Sequence, residues 1–241
     1  MNRPTRNLHR QVLDIIGERI VTGTHEPGSS LYPDRMEQEL GVSKTVLREA
    51  LRVLASKGLI GSRQKRGTFV RPRSDWNLLD SDLLRWQGAG AVDDTFLTNL
   101  GEVRSIVEPA AVRLAARRRD EADLVALTEA LALMAEAGGD TQASVEADLS
   151  FHRALLGAAH NELLTCMEVV IEAGLQVRDH LVHSGEGCAD PVPAHRAVLD
   201  AVRDRDPETA EQAVRRLLDQ AAADLDGLKH GTPGPRRGDT G

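Results

Sequence analysis

Aromatic side chains are nearly missing from this chain: three Phe, two Trp and one Tyr, or 2% of 241 residues. Its core must then be built from Leu, Val, Ile and Ala, a palette that suits packed helices better than a β-sandwich. Cysteine is equally scarce. Cys166 and Cys188 are too few for a disulfide scaffold or a cysteine-rich zinc site, and in a reducing compartment both are expected to be thiols. No apolar run approaches the ~20 residues that a spanning helix needs, and the opening MNRPTRNLHRQ is polar where a secretion signal would be apolar. A cytoplasmic protein with no membrane partner is the expectation. Nucleophile elbow, phosphate loop and dinucleotide fingerprint are all missing as well, which argues against an enzyme.

What is present is ordinary in amount and uneven in placement. The length allows one large domain or two of common size. Hydrophobic residues at 41% and charged residues at 28% describe a globular chain rather than a disordered one. Residues 1–75 carry 14 Lys or Arg against 8 Asp or Glu, whereas the rest carries 16 basic against 29 acidic residues, so the net charge of −7 conceals a basic front and an acidic remainder. One end is suited to a polyanion and the other to a different task.

The basic front has a readable order. Leu8, Val12, Ile15, Ile16 and Ile20 recur at helical spacing until Gly23 to Gly28 stops the pattern. A short helix is predicted from about Asp34 to Leu40, Gly41 suits a left-handed turn, and Ser43 is a good N-cap for a helix from Lys44 to Ser56. That last helix turns Leu47, Ala50, Leu51 and Leu54 inward and Lys44, Thr45, Arg48, Glu49 and Arg52 outward. Residues 59–70 change to a strand-like period around a basic, glycine-containing tip. Two helices at a tight glycine turn, followed by a small hairpin, make a winged helix-turn-helix over 7–72, with the second helix free to enter a groove of DNA. Residues 73–92 read as a connector whose Trp76 and Trp86 suggest a short helix docked on the second domain. Residues 93–230 are almost wholly helical, with breaks near Asp120, Gly138, Asn161, 184–193 and Asp206, and the Gly/Pro-rich 231–241 is expected to be a disordered tail. The fold class is therefore mainly α, a winged helix-turn-helix followed by a helical bundle.

The ordered pattern from Leu31-Tyr32-Pro33-Asp34-Arg35 through Leu40-Gly41-Val42-Ser43-Lys44-Thr45-Val46-Leu47-Arg48 to Arg66-Gly67-Thr68-Phe69-Val70 resembles the GntR family of bacterial transcription regulators. The resemblance implies that Arg35, Ser43, Lys44, Thr45 and Arg48 approach DNA while Gly67 lets the wing tip come close to the backbone. Arg and Lys there can reach guanine O6 and N7, and the hydroxyls can bind phosphates. Where the family often has Arg, this chain has Lys44, which lacks the bidentate fork. Since one such helix reads few base pairs, specific operator binding calls for a homodimer on two half-sites.

In the helical part, Asp148 and His152 stand at i, i+4 on one helix face, and His195 opens a later helix. This pattern is similar to the effector domain (FCD domain) of the FadR subfamily, an antiparallel bundle of six or seven helices. Metal-binding members add a third His on the last helix, at the position of Leu217 here. Asp148, His152 and His195 could still hold a divalent metal such as zinc with open positions for water or effector, or could line a metal-free polar pocket. In Val103-Arg104-Ser105-Ile106-Val107-Glu108-Pro109 the same resemblance points to Arg104 as an arginine that grips an effector carboxylate through two parallel hydrogen bonds; the alternative is an intrahelical pair with Glu108. The run from Arg73 through Trp76-Asn77-Leu78-Leu79-Asp80 to Leu83-Leu84-Arg85-Trp86 narrows the likeness to the galactonate operon repressor group, which implies a sugar acid as effector, binding at Arg104, Asp148, His152 and His195. Expected is a repressor released from its operator by the acid. The alternatives are a regulator that senses another small carboxylate, such as lactate or glycolate, and a metal-dependent enzyme built on the two imidazoles and one carboxylate.

Overall fold

A computed structural model describes residues 3–64, 67–88, 94–138, 140–183 and 190–229. Lys65 and Arg66, expected at the wing tip, Cys188, and residues 231–241, expected as a tail, lie outside the described residues. The chain divides into two compact units, Met1–Val92 and Asp93–Gly241.

The first unit begins with α1 (Arg3–Val21), whose Val12, Leu13, Ile16 and Ile20 are buried on one face, whereas Leu8 and Ile15 of the expected stripe are exposed. Strand β1 (Ser30–Leu31) precedes α2 (Pro33–Leu40), where Pro33 stands at the helix start that its fixed φ favours. Gly41 ends α2 at φ 63°, in the left-handed region, and Ser43 then caps α3 (Lys44–Ser56) by accepting from the Val46 amide at 3.4 Å. Strands β2 (Ile60–Arg63) and β3 (Gly67–Val70) form the wing in antiparallel register, with Gly61 opposite Phe69 and Arg63 opposite Gly67. β1 adds to the other side of β3, which gives the order β1-β3-β2. Two residues are too few to show an alternating pattern, so this third strand was not legible in the sequence; it forms because β3 offers its free edge to Ser30 and Leu31.

The connector overturns one expectation. After a single 3-10 turn at Arg73–Asp75 comes α4 (Ser81–Gly88), and its Leu83 and Trp86, with Trp76, belong to the core of the first unit, not to that of the second. The reason is a fitted slot and a charge network. Gly17 on α1 has no side chain, and the Trp86 ring fills the space. Trp86 Nε1 donates to Asp14 Oδ1 at 3.0 Å, and Arg85 reaches the same oxygen at 2.5 Å. Lys57 Nζ lies 2.7 Å from both Asp80 Oδ1 and Asp82 Oδ2, and Arg10 pairs with Asp82. Asp80 also caps α4 by accepting from the Asp82 amide at 3.0 Å. Two aromatic rings spaced along a polar segment could not say which core they serve; a glycine facing one of them decided it.

The second unit has seven helices among its described residues: α5 (Asp94–Arg118), α6 (Glu121–Glu136), α7 (Thr141–Ala158), α8 (Glu162–Cys166), α9 (Glu168–His183), α10 (Val192–Arg203) and α11 (Pro207–Lys229). Their boundaries follow local chemistry. Asp120 and Asp123 form a reciprocal capping box on α6, Asn161 accepts from the Leu163 and Leu164 amides at the start of α8, and Asp206 accepts from Glu208 and Thr209 at the start of α11. α5 packs on α7 and α11, α6 on α7, and α10 on α11, around a core of Ala, Leu, Val and Met with Phe151 at its centre. Ala-rich faces let helices approach closely, which is how a chain so poor in aromatics reaches interior density.

Candidate functional site

Arg35, Ser43, Lys44, Thr45, Arg48 and Gly67 are all exposed on the first unit. Lys44, Thr45 and Arg48 share the N-terminal half of α3 and Ser43 caps it, while the opposite face buries Leu47, Ala50 and Leu54. The side chains are therefore presented from a rigid helix rather than from a loop. Arg35 stacks on Tyr32 with its guanidinium carbon 5.1 Å from the ring centroid, which orients the head group while leaving its N–H donors available. Lys44 Nζ makes only a loose, exposed pair with Asp34 at 3.5 Å, an interaction that a phosphate or base would easily replace. Gly67 has φ 74°, a conformation that favours glycine, and a side chain added there would meet open space.

In the second unit the folding of α5, α7 and α10 brings four of the sequence-derived residues to neighbouring positions. His195 Nε2 lies 2.8 Å and His152 Nε2 3.6 Å from Asp148 Oδ1, and all three side chains are buried. The ring of Phe151 stands edge-on to that of His195 at 4.9 Å and walls the group. His195 Nδ1 lies 2.8 Å from the Pro191 carbonyl oxygen, which can only accept, so that nitrogen carries the proton and Nε2 presents its lone pair to Asp148. A lone pair facing a carboxylate oxygen needs a cation between them, either a proton or a metal. His195 Nε2 makes no aligned hydrogen bond despite the short distance. Two imidazole nitrogens and one carboxylate, within 4.8 Å of one another, are a donor set that divalent transition metals accept. Leu217 lies in the apolar core of the bundle and supplies no donor.

Arg104 stands on α5 with its side chain buried, and Nε donates to Glu108 Oε1 at 2.5 Å. This is the intrahelical pair that the i, i+4 spacing allowed. It leaves Nη2 buried without a hydrogen-bond partner among the described residues. Arg104 also borders a cavity of about 300 Å³ together with Leu97, Leu100, Gly101 and Ser105 of α5 and the acidic Asp219 and Asp226 of α11. Asp148, His152 and His195 do not line that cavity. What joins the two places is Glu108, 1% exposed, whose Oε2 lies 2.8 Å from His152 Nδ1. Burial alone would push its carboxyl upward, but the Arg104 charge and then the His152 imidazole hold it down, to about 2 from 4.5. Sequence reading gave Glu108 no role beyond a partner for Arg104; the available signal was a charged residue on the buried stripe of α5.

His160 pairs with Asp123 at 2.8 Å on the surface, next to the capping box of α6, and the side chains of His180 and His183 lie outside the described residues. No described helix is long and apolar enough to cross a membrane.

Comparison with known proteins bears on both units. Residues 8–70 match the bacterial regulatory proteins of the gntR family, and residues 99–220 match the FCD domain. The chain is 34% identical over 217 residues to the galactonate operon transcriptional repressor of Escherichia coli K12, covering 89% of this chain and 95% of that protein. It is 30% identical to a probable D-xylose utilization operon transcriptional repressor of Paenarthrobacter nicotinovorans, covering 93% of this chain and 90% of the other. Among solved structures it resembles E. coli McbR/YncC, with a TM-score of 0.56 at 21% identity over 92% of this chain and 98% of that one, a likeness of fold. The exposed helix-turn-helix, the wing and the helical unit that follows them thus agree with the relatives in kind and order, and the chain belongs to the GntR family of DNA-binding transcription regulators, with an FCD domain after its winged helix-turn-helix.

Proposed function

We propose that this chain is an effector-responsive repressor that works as a homodimer, with residues 7–72 as the DNA-binding domain and 93–230 as the effector domain. Arg35, Ser43, Lys44, Thr45 and Arg48 meet operator DNA, the helix residues at base edges and phosphates of the major groove and Gly67 where the wing nears the backbone. The effector is a small carboxylate of the galactonate type. The observation that carries this reading is Arg104: a buried guanidinium beside a cavity of about 300 Å³, with Nε committed to Glu108 and Nη2 without a hydrogen-bond partner among the described residues. A buried donor left unsatisfied costs about 1–3 kcal/mol, and an incoming carboxylate removes that cost.

Asp148, His152 and His195 are the residues that would hold a divalent cation such as zinc. When bound, the cation supplies a fixed positive charge that attracts oxygen ligands. The chain itself prepares the site: Pro191 orients one imidazole, Glu108 faces the other, and Phe151 excludes water from one side. Effector capture then favours an arrangement of the dimer that no longer matches the operator, and a coupling of about 1–3 kcal/mol lowers DNA affinity ~5–150-fold.

An operator-binding titration tests the reading. Galactonate is expected to weaken binding by the wild-type protein, and Arg104→Lys, which keeps a cation beside Glu108 but loses the fork, is expected to bind operator and fail to release it. If neither galactonate nor shorter hydroxy acids such as lactate and glycolate change operator affinity, the effector assignment is wrong.

A further inference from the structure

Among the described residues, Glu108 is the carboxylate that touches both recognition elements of the helical unit. Its Oε1 accepts from Arg104 Nε at 2.5 Å and its Oε2 stands 2.8 Å from His152 Nδ1. It is almost wholly buried, so water cannot substitute for either partner. We propose that Glu108 is a positioning residue shared by the two sites: it keeps His152 with Nε2 turned toward Asp148, and it makes anion capture at Arg104 and cation capture at Asp148, His152 and His195 favour each other.

The first half follows from acceptor chemistry. A carboxylate between a guanidinium and an imidazole can only accept, so the His152 nitrogen facing it is the one that carries hydrogen, and the other nitrogen, turned to Asp148, is the one open to a proton or a cation. The contact is short without being aligned as a hydrogen bond, so a turn of the ring is what tightens it. Pro191 does the same for His195 through its carbonyl oxygen. Both imidazoles are then held in the tautomer that a cation requires, one by a backbone group and one by Glu108.

The second half follows from the sharing. With His152 holding a cation, its Nδ1 proton would be more acidic and Glu108 would be drawn toward it. The hold of Glu108 on Arg104 weakens, and the guanidinium gains freedom to meet an incoming carboxylate. Conversely, an anion at Arg104 competes with Oε1 and releases Glu108 toward His152. Linkage makes the two effects equal in size. The inference rests on the proposed cation and carboxylate sites and adds the residue that couples them.

Glu108→Gln is the informative change, because an amide has one accepting and one donating end. It cannot accept from both neighbours, so either the Arg104 bond or the His152 tautomer is lost. Metal-stripped full-length protein is titrated with zinc against a chromophoric chelator, and galactonate binding is measured by calorimetry with and without zinc. The variant is expected to bind zinc about 10–100-fold more weakly than wild type. Zinc is expected to tighten galactonate binding to wild type by roughly 5-fold or more, and to leave the variant nearly unaffected. Equal zinc affinity, or equal coupling, in the two proteins overturns this inference while the site assignments stand. If wild type takes up no zinc, the cation site fails and the inference falls with it. If wild type binds zinc but not galactonate, the effector assignment alone fails and the zinc comparison decides the role of Glu108. Should the variant not fold, the long-range 1H–15N spectrum of metal-stripped wild type decides it: His152 carrying hydrogen at Nδ1 supports the inference, and His152 protonated at Nε2 alone overturns it.

Discussion

Replacing Gly17 by Ala separates two opposed effects whose sizes the structure supplies. Gly17 lies within α1, where Ala is favoured over Gly by roughly 0.5–1 kcal/mol, so on helix propensity alone the change stabilises. A Cβ at that position, however, would come within 2.5 Å of Cη2 and Cζ3 of Trp86, far inside contact distance. The ring has little room to retreat, because it is fully buried and its Nε1 is bonded to Asp14. Overpacking of a tight core costs about 1–3 kcal/mol, and a clash this deep with an aromatic ring belongs at the upper end. The net expectation is a loss of about 2 kcal/mol, or a fall of roughly 8–16 °C in midpoint for a unit of this size. Both tryptophans of the chain, Trp76 and Trp86, belong to the first unit, so intrinsic fluorescence follows that unit alone. Gly17→Ala is expected to lower the fluorescence midpoint and shift the emission to the red, and Trp86→Leu on top of it is expected to cost less than the two single changes added. A midpoint that rises by a few degrees, with emission unchanged, would refute the docking of α4 on α1.

Three further outcomes follow from the same structure. Arg48→Ala is expected to weaken operator binding by about 1–3 kcal/mol in an anisotropy titration while leaving galactonate affinity unchanged, since the side chain is exposed on the first unit. The first unit is expected to lose stability in acid: burial raises Asp14 and Asp82, but the Arg85 bond to Asp14 and the Lys57 bond to Asp82 outweigh it and hold both carboxyls below the usual 3.8. Depressed values give stability that is present above pH 3.8 and lost as pH falls further; tryptophan emission across that range checks it, and Asp82→Asn is expected to flatten the loss. Chelation of metal is expected to lower the thermal midpoint of the wild-type helical unit followed by circular dichroism, by an amount equivalent to about 2.7 kcal/mol when zinc had stood at 100 times its Kd, and to leave Asp148→Asn unchanged.

How much of this was legible in the sequence depended on the range of the interaction. Ser43, Gly41 and Pro33 act on their own helix ends, through an accepted amide hydrogen, a left-handed turn and a fixed φ, so the helix-turn-helix could be read residue by residue. Asp148 and His152 needed only the i, i+4 period. His195 needed a resemblance, because α10 meets α7 only through the packing of the bundle. The place of the connector is not legible in the sequence, because Trp76 and Trp86 mark burial without naming the surface that buries them. Glu108 went without a role because a charged residue on a buried stripe gains meaning only from what stands opposite.

By itself, then, the sequence determined the local matters: which stretches are helical, that Ser43 caps α3, that the front is basic and the remainder acidic, and which face of α3 is free. These depend on interactions within about four residues along the chain and on composition. The tertiary structure alone decided that β1 completes the wing, that Gly17 receives Trp86, and that one buried carboxylate stands between Arg104 and His152. Each of those joins residues distant in the chain, and distance in sequence carries no information about direction in space until the helices have packed.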